Sequence, residues 1–285
     1  MSYQKRLDRA FINAPVLPIT PHTHYVFFSD CHRGVGNNND DFLKNSDICY
    51  AALQYYFQYG FSYIEVGDGD ELWENKDYEQ IQQTHHDIFS QLCRFQNMGR
   101  LYMLYGNHDM IKKDMASILN NIRFYESIIL RSENPPVNLH ITHGHQADTF
   151  NSVFGKLAGF LVRHLWAPLE QFGILEPTRA ANNSSKKANL EQKYISYARE
   201  KDIHLLVGHN HKPHVGNAGT PYHNCGSCVQ PKHITCIELC GYTINLVTWY
   251  STTEKIAPFG GIYNRCSPSF PVYIKREILV SESLL

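Results

Sequence analysis

The stretch Leu101-Tyr102-Met103-Leu104-Tyr105-Gly106-Asn107-His108-Asp109 contains the pattern that decides the fold. Its first five residues form an apolar and aromatic run, which is typical of a buried strand. A glycine follows, and then an amide, an imidazole and a carboxylate stand in a row. Because glycine lets the backbone turn sharply, the polar side chains are predicted to lie in a loop at the carboxyl end of a strand.

The same arrangement recurs at four other places in the chain. The polar clusters that close these apolar runs are Asp30-Cys31-His32, Gly67-Asp68, His143-Gly144-His145 and Gly208-His209-Asn210-His211. One such cluster alone is more often an ordinary turn. Five in series indicate a site at the carboxyl ends of strands, which is where open α/β sheets bind their ligands.

Helix patterns alternate with the strands in the first half of the chain. Apolar residues at helical spacing predict helices over Asp47–Tyr59 and Tyr78–Phe95. The strand patterns Tyr25–Ser29 and Tyr63–Val66 precede them. Such alternation predicts an α/β core, which the mostly strand-like region from Pro221 to Ile274 extends.

The region from about 150 to 185 has a different pattern. From Phe150 to Trp166 its apolar residues recur at roughly i, i+3, i+4 and i+7, which predicts amphipathic helices. We expect a helical lid insert over about 150–185 within a single domain spanning 1–285. Its apolar face either packs on the core or recognises an apolar or lipid part of a substrate, and the spacing does not decide between these two roles.

The composition limits the classes of partner and compartment. The chain has 285 residues, with 26 Lys and Arg against 27 Asp and Glu, and a net charge of -1. This balance gives no long-range attraction to nucleic acid, so no nucleic-acid partner is expected. No apolar run reaches the ~18 residues of a membrane span, and the charged start does not resemble a secretory signal. The protein is therefore predicted to be cytoplasmic, with its oligomeric state left open.

Four of the eight cysteines stand at spacings that recur in metal and redox sites. Cys225 and Cys228 are three positions apart, and Cys236 and Cys240 are four apart, which suggests a structural zinc or a redox pair. However, the second pair falls in a strand-like run, and a chain of this size needs no disulfide framework. We favour reduced, buried cysteines that act as small hydrophobes.

Taken in order, the five clusters resemble the calcineurin-like metallophosphoesterase superfamily, over about two thirds of the chain. The resemblance implies a four-layer αββα sandwich, in which two mixed β-sheets are flanked by helices. It also implies a dinuclear centre of two divalent metal ions, with Mn favoured over Fe or Zn. Carboxylate, amide and imidazole donors suit these metals better than a thiolate site would.

Carried onto this sequence, the family pattern implies seven metal ligands, which form two sets that share a bridging residue. One ion would be held by Asp30, His32 and His211, the other by Asn107, His143 and His209, and Asp68 would bridge both. Two metals ~3.5–4 Å apart share a hydroxide and clamp a phosphate for in-line displacement. The resemblance therefore implies hydrolysis of a phosphate monoester, diester or pyrophosphate by direct attack of that hydroxide on phosphorus.

Four residues beside the ligands are candidates for other roles. His108 would face the scissile phosphate and protonate the leaving oxygen. Asp109 would accept from the other ring nitrogen of His108, or cap a helix over Met110–Leu119. Arg33 would bind phosphate in a bidentate way, or serve only in packing or at the surface. Glu71 is expected to hydrogen-bond to a neighbouring ligand.

The expected substrate is a small or lipid-linked phosphorylated molecule. The blocks Ser29-Asp30 and Glu71-Leu72-Trp73-Glu74 are distantly similar to UDP-2,3-diacylglucosamine hydrolases, which cleave a pyrophosphate. That family has Arg where this chain has His108, and Asp where it has His145. The alternatives are an enzyme like the Ser/Thr protein phosphatases, whose Asp-Arg-Gly block is missing here, and a non-catalytic scaffold.

Overall fold

A computed structural model of the chain describes residues 1–38, 40–75, 77–115, 122–148, 184–253, 265–266 and 271–285. The predicted lid at about 150–185 lies almost wholly outside the described residues. The lid and the single domain over 1–285 therefore stay predictions. No helix among the described residues combines the length and the apolarity that crossing a membrane requires.

Two mixed β-sheets form the centre of the described structure. The six-stranded sheet has the order β1 (Val16–Pro18), β6 (Ser127–Glu133), β7 (Pro136–Thr142), β8 (His204–Val207), β10 (Tyr222–Asn224) and β9 (His214–Val215). The eight-stranded sheet has the order β13 (Arg265–Cys266), β14 (Pro271–Ser283), β12 (Thr243–Thr252), β11 (His233–Cys240), β2 (His24–Phe28), β3 (Ser62–Val66), β4 (Leu101–Leu104) and β5 (Phe124–Tyr125). Both sheets contain parallel and antiparallel pairs.

Helices cover the outer faces of both sheets. The described α-helices are α1 (Tyr3–Phe11), α2 (Ser46–Gln58), α3 (Tyr78–Thr84), α4 (His86–Asn97) and α5 (Ser184–Lys201). Helices α1 and α5 contact the six-stranded sheet, whereas α2 and α4 contact the eight-stranded sheet. The layers therefore run helix, sheet, sheet, helix, which confirms the predicted αββα sandwich.

Alternation along β2 shows how the layers are built. Phe27 joins the apolar cluster between the two sheets, where it meets Ile141 and Leu206 from the other sheet. Its neighbours Val26 and Phe28 belong instead to the cluster beneath α2 and α4. Side chains alternate between the two faces of a strand, so one short apolar run supplies two separate cores.

The arrangement of the strands gathers the polar loops at one edge. In one sheet β2, β3 and β4 are parallel neighbours, and in the other sheet β7 and β8 are parallel. Each of these five strands ends directly before one of the polar clusters found in the sequence. The fold thus places all five clusters where the carboxyl ends of the two sheets meet.

Two predicted helices differ from those observed. The single helix predicted over Tyr78–Phe95 is two helices, because His85 between them has a non-helical backbone (φ −107°, ψ 36°). Its buried imidazole Nε2 lies 2.8 Å from the carboxylate of Asp40, and this pair fixes the break. In the described part of the helix predicted over Met110–Leu119, a 3-10 turn forms over Met110–Asp114, and the Asp109 side chain does not cap it; residues 116–119 lie outside the described residues.

Candidate metal centre

The polar loops bring the predicted ligands together. Three groups of residues each place their donor atoms within 4.8 Å of one another. The groups are Asp30 with His32 and His211, His32 with Glu71 and His108, and Asp68 with His143 and His209. The first and third groups contain six of the seven predicted ligands. The seventh, Asn107, is buried in the loop after β4.

Several donor atoms of these residues are buried without a hydrogen bond. Asp30 Oδ1, His32 Nε2, Asn107 Oδ1 and His143 Nε2 are shielded from solvent and have no hydrogen-bond partner in the described structure. A buried polar atom left unpaired costs about 1–3 kcal/mol. His143 Nε2 approaches Asp68 Oδ2 to 3.0 Å without hydrogen-bond geometry. Oxygen and imidazole donors in this state fit divalent cations.

The backbone is strained at the same residues. Five predicted ligands have positive φ angles, and these are Asp30 (52°), His32 (50°), Asp68 (50°), His209 (70°) and His211 (56°). Only two other non-glycine residues in the described ranges share this conformation. Each such residue costs of order 1–3 kcal/mol, and such strain clusters at functional sites. The surrounding fold therefore maintains these side-chain directions at a cost in stability.

Backbone amides fix the two central carboxylates. His108 N donates to Asp68 Oδ1 at 2.8 Å, and His209 N donates to Asp30 Oδ2 at 2.9 Å. Gly106 permits the first approach, because a Cβ at that position would overlap Asp68 Oδ1. Both carboxylates are thereby held with one oxygen bonded to backbone and the other facing the imidazoles.

The carboxylates remain ionised despite their burial. Burial raises the pKa of Asp30, but the nearby imidazoles of His211 and His32 lower that pKa well below its ordinary value. Burial lowers the pKa of His143, but the Asp68 carboxylate beside it raises that pKa to about 9. The same pairing with His143 keeps the pKa of Asp68 low. The centre therefore presents anionic oxygens at neutral pH, which a cation site requires.

Glu71 connects a predicted ligand to the predicted acid. Its Oε2 lies 2.9 Å from His32 Nδ1 and 2.8 Å from His108 Nδ1. Burial raises the pKa of Glu71, but the two imidazoles lower it to about 2. An ionised carboxylate only accepts hydrogen bonds, so both rings donate to it through Nδ1 and keep Nε2 for other contacts. The expectation of a hydrogen bond from Glu71 to a neighbouring ligand is met.

Asp109 does not make the predicted contact with the ring of His108. Its buried carboxylate accepts from the backbone N–H of Gly106 at 2.7 Å and of Gly69 at 3.0 Å. Lys112 Nζ lies 2.6 Å away on the same carboxylate. Asp109 thus ties two site loops together, and Glu71 takes the place at the imidazole that the sequence suggested for Asp109.

Arg33 is also placed differently from the prediction. Its fully buried guanidinium donates to Glu65 at 2.8 and 2.9 Å and to Asp70 at 2.6 Å. Because these contacts occupy the guanidinium, the predicted bidentate phosphate contact is not available. Lys112 Nζ, equally buried, lies 2.6 Å from both Asp70 and Asp109. We call Arg33, Glu65, Asp70, Asp109 and Lys112 the buried ionic cluster.

Sequence reasoning missed three participants of the site region. Glu65 lies within a strand, and Lys112 follows Asp109 by three positions, so neither pattern distinguishes a buried ion pair from an exposed charge. Trp73 stacks on the ring of His108, with centroids 4.0 Å apart and planes 25° apart. Its only signal was the position two residues after Glu71 in the loop that follows β3.

The four cysteines with metal-site spacing are buried or half-buried. Cys225, Cys228 and Cys236 are free and buried, and Cys240 is half-buried. No cysteine belongs to a metal-ligand group among the residues that the structure describes. This agrees with their interpretation as small hydrophobes.

Comparisons with known proteins add only weak likenesses. No family model matches the chain, and no curated protein matches it. Vacuolar protein sorting 29 from Cryptosporidium parvum is 13% identical, with 90% of this chain and 98% of that chain covered and a TM-score of 0.37. Vps29 of Chaetomium thermophilum is 9% identical, with 91% of this chain and 98% of that chain covered and a TM-score of 0.42. A cold-active protein-tyrosine phosphatase of a Shewanella species is 12% identical, with 81% of this chain and 80% of that chain covered and a TM-score of 0.40. Likenesses at this level carry no conclusion about activity.

Proposed function

We propose that this chain is a metal-dependent phosphoesterase that hydrolyses a phosphate monoester, diester or pyrophosphate. Its two divalent ions, Mn before Fe or Zn, would be held by Asp30, His32 and His211 on one side, by Asn107, His143 and His209 on the other, and by Asp68 between them. When bound, the ions supply positive charge for phosphoryl oxygens and lower the pKa of an attacking water.

The observation that carries the proposal is the set of buried donor atoms without hydrogen-bond partners. Asp30 Oδ1, His32 Nε2, Asn107 Oδ1 and His143 Nε2 come from three loops, those after β2, β4 and β7, and lie without hydrogen bonds at one place. A non-catalytic scaffold gains nothing from such atoms, because apolar residues of similar volume would be as stable or more stable there. The donor set therefore supports a metal site and disfavours the scaffold.

His108 supplies the acid function. Burial lowers its pKa, but the carboxylates of Glu71 and Asp68 raise that pKa above the ordinary value. The two carboxylates thus favour the protonated ring, and a quarter of the side chain is exposed. With Nδ1 bonded to Glu71, its Nε2 proton is the one to pass to the oxygen of the leaving group as the P–O bond breaks.

The substrate is proposed to be a small or lipid-linked phosphorylated molecule. The chain as a whole carries a net charge of only -1, so an anionic substrate is attracted by local charge at the centre. Arg33 and Lys112 are bound within the buried ionic cluster, so among the residues described around the centre His108 is the cation available to a phosphate. No observation favours the alternative of a Ser/Thr protein phosphatase-like enzyme, and the cytoplasmic location stays a prediction.

The proposal is tested by metal content and hydrolysis together. We expect close to two ions per chain, and Mn-dependent release of 4-nitrophenol from mono- or bis-(4-nitrophenyl) phosphate. The variant His108→Ala should keep its metals and lose ~10²–10⁴-fold in kcat. His86→Ala is the matched control, since that side chain is 80% exposed on α4. Cleavage of neither ester, or a single ion held by Cys225 and Cys228, overturns the proposal.

A further inference from the structure

The imidazole of His108 is held on three sides. Trp73 covers one face, at a centroid distance of 4.0 Å and an interplanar angle of 25°. Glu71 binds Nδ1 at 2.8 Å, and the edge of the ring meets His32 at 4.7 Å with the planes nearly perpendicular (89°). Among the described residues no hydrogen bond involves Nε2 of His108, so that atom is available to a substrate.

Trp73 supplies a restraint that Glu71 cannot supply. A hydrogen bond to Nδ1 fixes one ring atom but leaves the imidazole able to tilt about that contact. A stacked indole opposes the tilt, because the attraction between stacked aromatic rings is lost when their planes diverge. Together the two contacts define both the position of the His108 ring and the direction of Nε2.

The turn that carries Trp73 is itself fixed. Leu72 is buried in the core beneath α2 and α4, next in sequence to Trp73. The carbonyl of Glu71 accepts from Asn75 N at 3.3 Å and from Asn75 Nδ2 at 2.9 Å, which closes the turn. Glu71 N donates to the carbonyl of Arg33 at 3.0 Å. The indole is thus presented from a closed, anchored loop.

We infer that Trp73 is a positioning residue for His108, which holds Nε2 toward the leaving-group oxygen. The inference rests on the proposed function and deepens it. As the P–O bond breaks, the Nε2 proton moves to the leaving oxygen, and His108 becomes neutral while Glu71 stays anionic. Poor leaving groups need this proton most, so Trp73 matters most for substrates whose leaving group is a weakly acidic alcohol.

Steady-state kinetics test the inference with matched variants. We expect Trp73→Ala to lower kcat for phenyl phosphate by at least ~10-fold more than for 4-nitrophenyl phosphate, with KM and metal content unchanged. Trp73→Phe keeps a stacked ring and should retain most of the activity. When His108 is already replaced by alanine, adding Trp73→Ala should not lower kcat any further. Equal losses on both esters, a change confined to KM, or additive losses in the double variant overturn the inference.

A second measurement does not depend on activity. In the zinc-loaded protein, the ring protons of His108, assigned by their loss in His108→Ala, should resonate upfield because of the indole ring current. Trp73→Ala should remove this shift and Trp73→Phe should keep part of it, while Tyr59→Ala, at an exposed aromatic on the end of α2, leaves it unchanged. An unmoved resonance in Trp73→Ala overturns the inference alone. If the wild-type protein shows the shift but cleaves no ester, the proposed function is overturned. The stacking of Trp73 on His108 then has no role in proton transfer either.

Discussion

Two groups of polar and charged residues lie in the same loops and differ in how their buried side chains are paired. In the candidate metal centre, donor atoms of Asp30, Asn107 and His143 are buried without a hydrogen bond, and the charges near them are imidazoles and carboxylates. In the buried ionic cluster, Arg33 and Lys112 are fully buried as well, yet both cations are paired with carboxylates at 2.6–2.9 Å. Both groups are buried, but only the ionic cluster contains an arginine and a lysine to neutralise its carboxylates.

Turns within shared loops explain how the two groups are so close. Asp68 faces the centre and Asp70 faces the ionic cluster, two positions later. Asn107 and Asp109 divide in the same way. In extended chain, residues two positions apart would point to the same side, but the backbone turns at Asp68, whose φ is 50°, so the loop after β3 serves both groups. The paired group therefore anchors the loops from which the unpaired group projects.

The largest effect is expected from Asp68→Asn in the metal centre. Asparagine keeps the shape of the side chain but removes the charge between the two ion sites, so at least one ion should be lost and kcat should fall by more than ~10³-fold. The free energy of unfolding of the metal-free protein should fall by less than for a break in the ionic cluster, because removal of a buried charge offsets part of the lost pairing with His143. Metal content, kcat and urea unfolding of the metal-free protein measure the three effects.

An Asp68→Asn variant that still binds two ions would show that Asp68 is no ligand. A loss of several kcal/mol without metal would show instead that the centre is structural, as the ionic cluster is.

The next largest effect is expected from Arg33→Met in the buried ionic cluster. Removing one partner of a buried pair leaves uncompensated charge, which costs about 3–5 kcal/mol. Glu65 and Asp70 would be left with Lys112 as their remaining cation in the cluster. Urea unfolding measures the loss, and Arg94→Met, an exposed arginine on α4, is the control that should change little. Unchanged stability with a raised KM for phosphate esters would restore Arg33 to the phosphate contact that its sequence position suggested.

The sequence predicted where the site lies better than what each residue does there. Glycine and a polar cluster after an apolar run mark the end of a strand, so the gathering of Asp30 with Asp68, and of His143 with His209, follows from local pattern and parallel pairing. Whether a side chain faces the centre or the interior depends on its partners from distant strands. Arg33 follows His32 directly and resembles a phosphate ligand, while Glu65, which binds it, lies 32 positions away. An aromatic residue in a loop, such as Trp73, has no periodicity at all to indicate its neighbour.

The smallest effect concerns a half-buried histidine that lacks a carboxylate beside its ring among the described residues. Burial and Arg131 lower the pKa of His140, on β7, to about 4, and its Nδ1 has no hydrogen-bond partner in the described structure. Since the pKa in the unfolded chain is about 6.5, the unfolded state takes up its proton first as the pH falls. Stability should therefore be constant above pH ~6.5 and decline toward pH ~4. His140→Gln should reduce the fall in the free energy of unfolding between pH 7 and pH 5 by about 1 kcal/mol, after allowance for the partial exposure of the ring. His233→Gln, at an exposed position on β11, is the control and should leave that fall unchanged. If His140→Gln leaves the change of the free energy of unfolding with pH unaltered, then solvent reaches this ring as freely in the folded protein as in the unfolded chain. The lack of a carboxylate beside His140 would then not lower its pKa relative to the imidazoles of the metal centre.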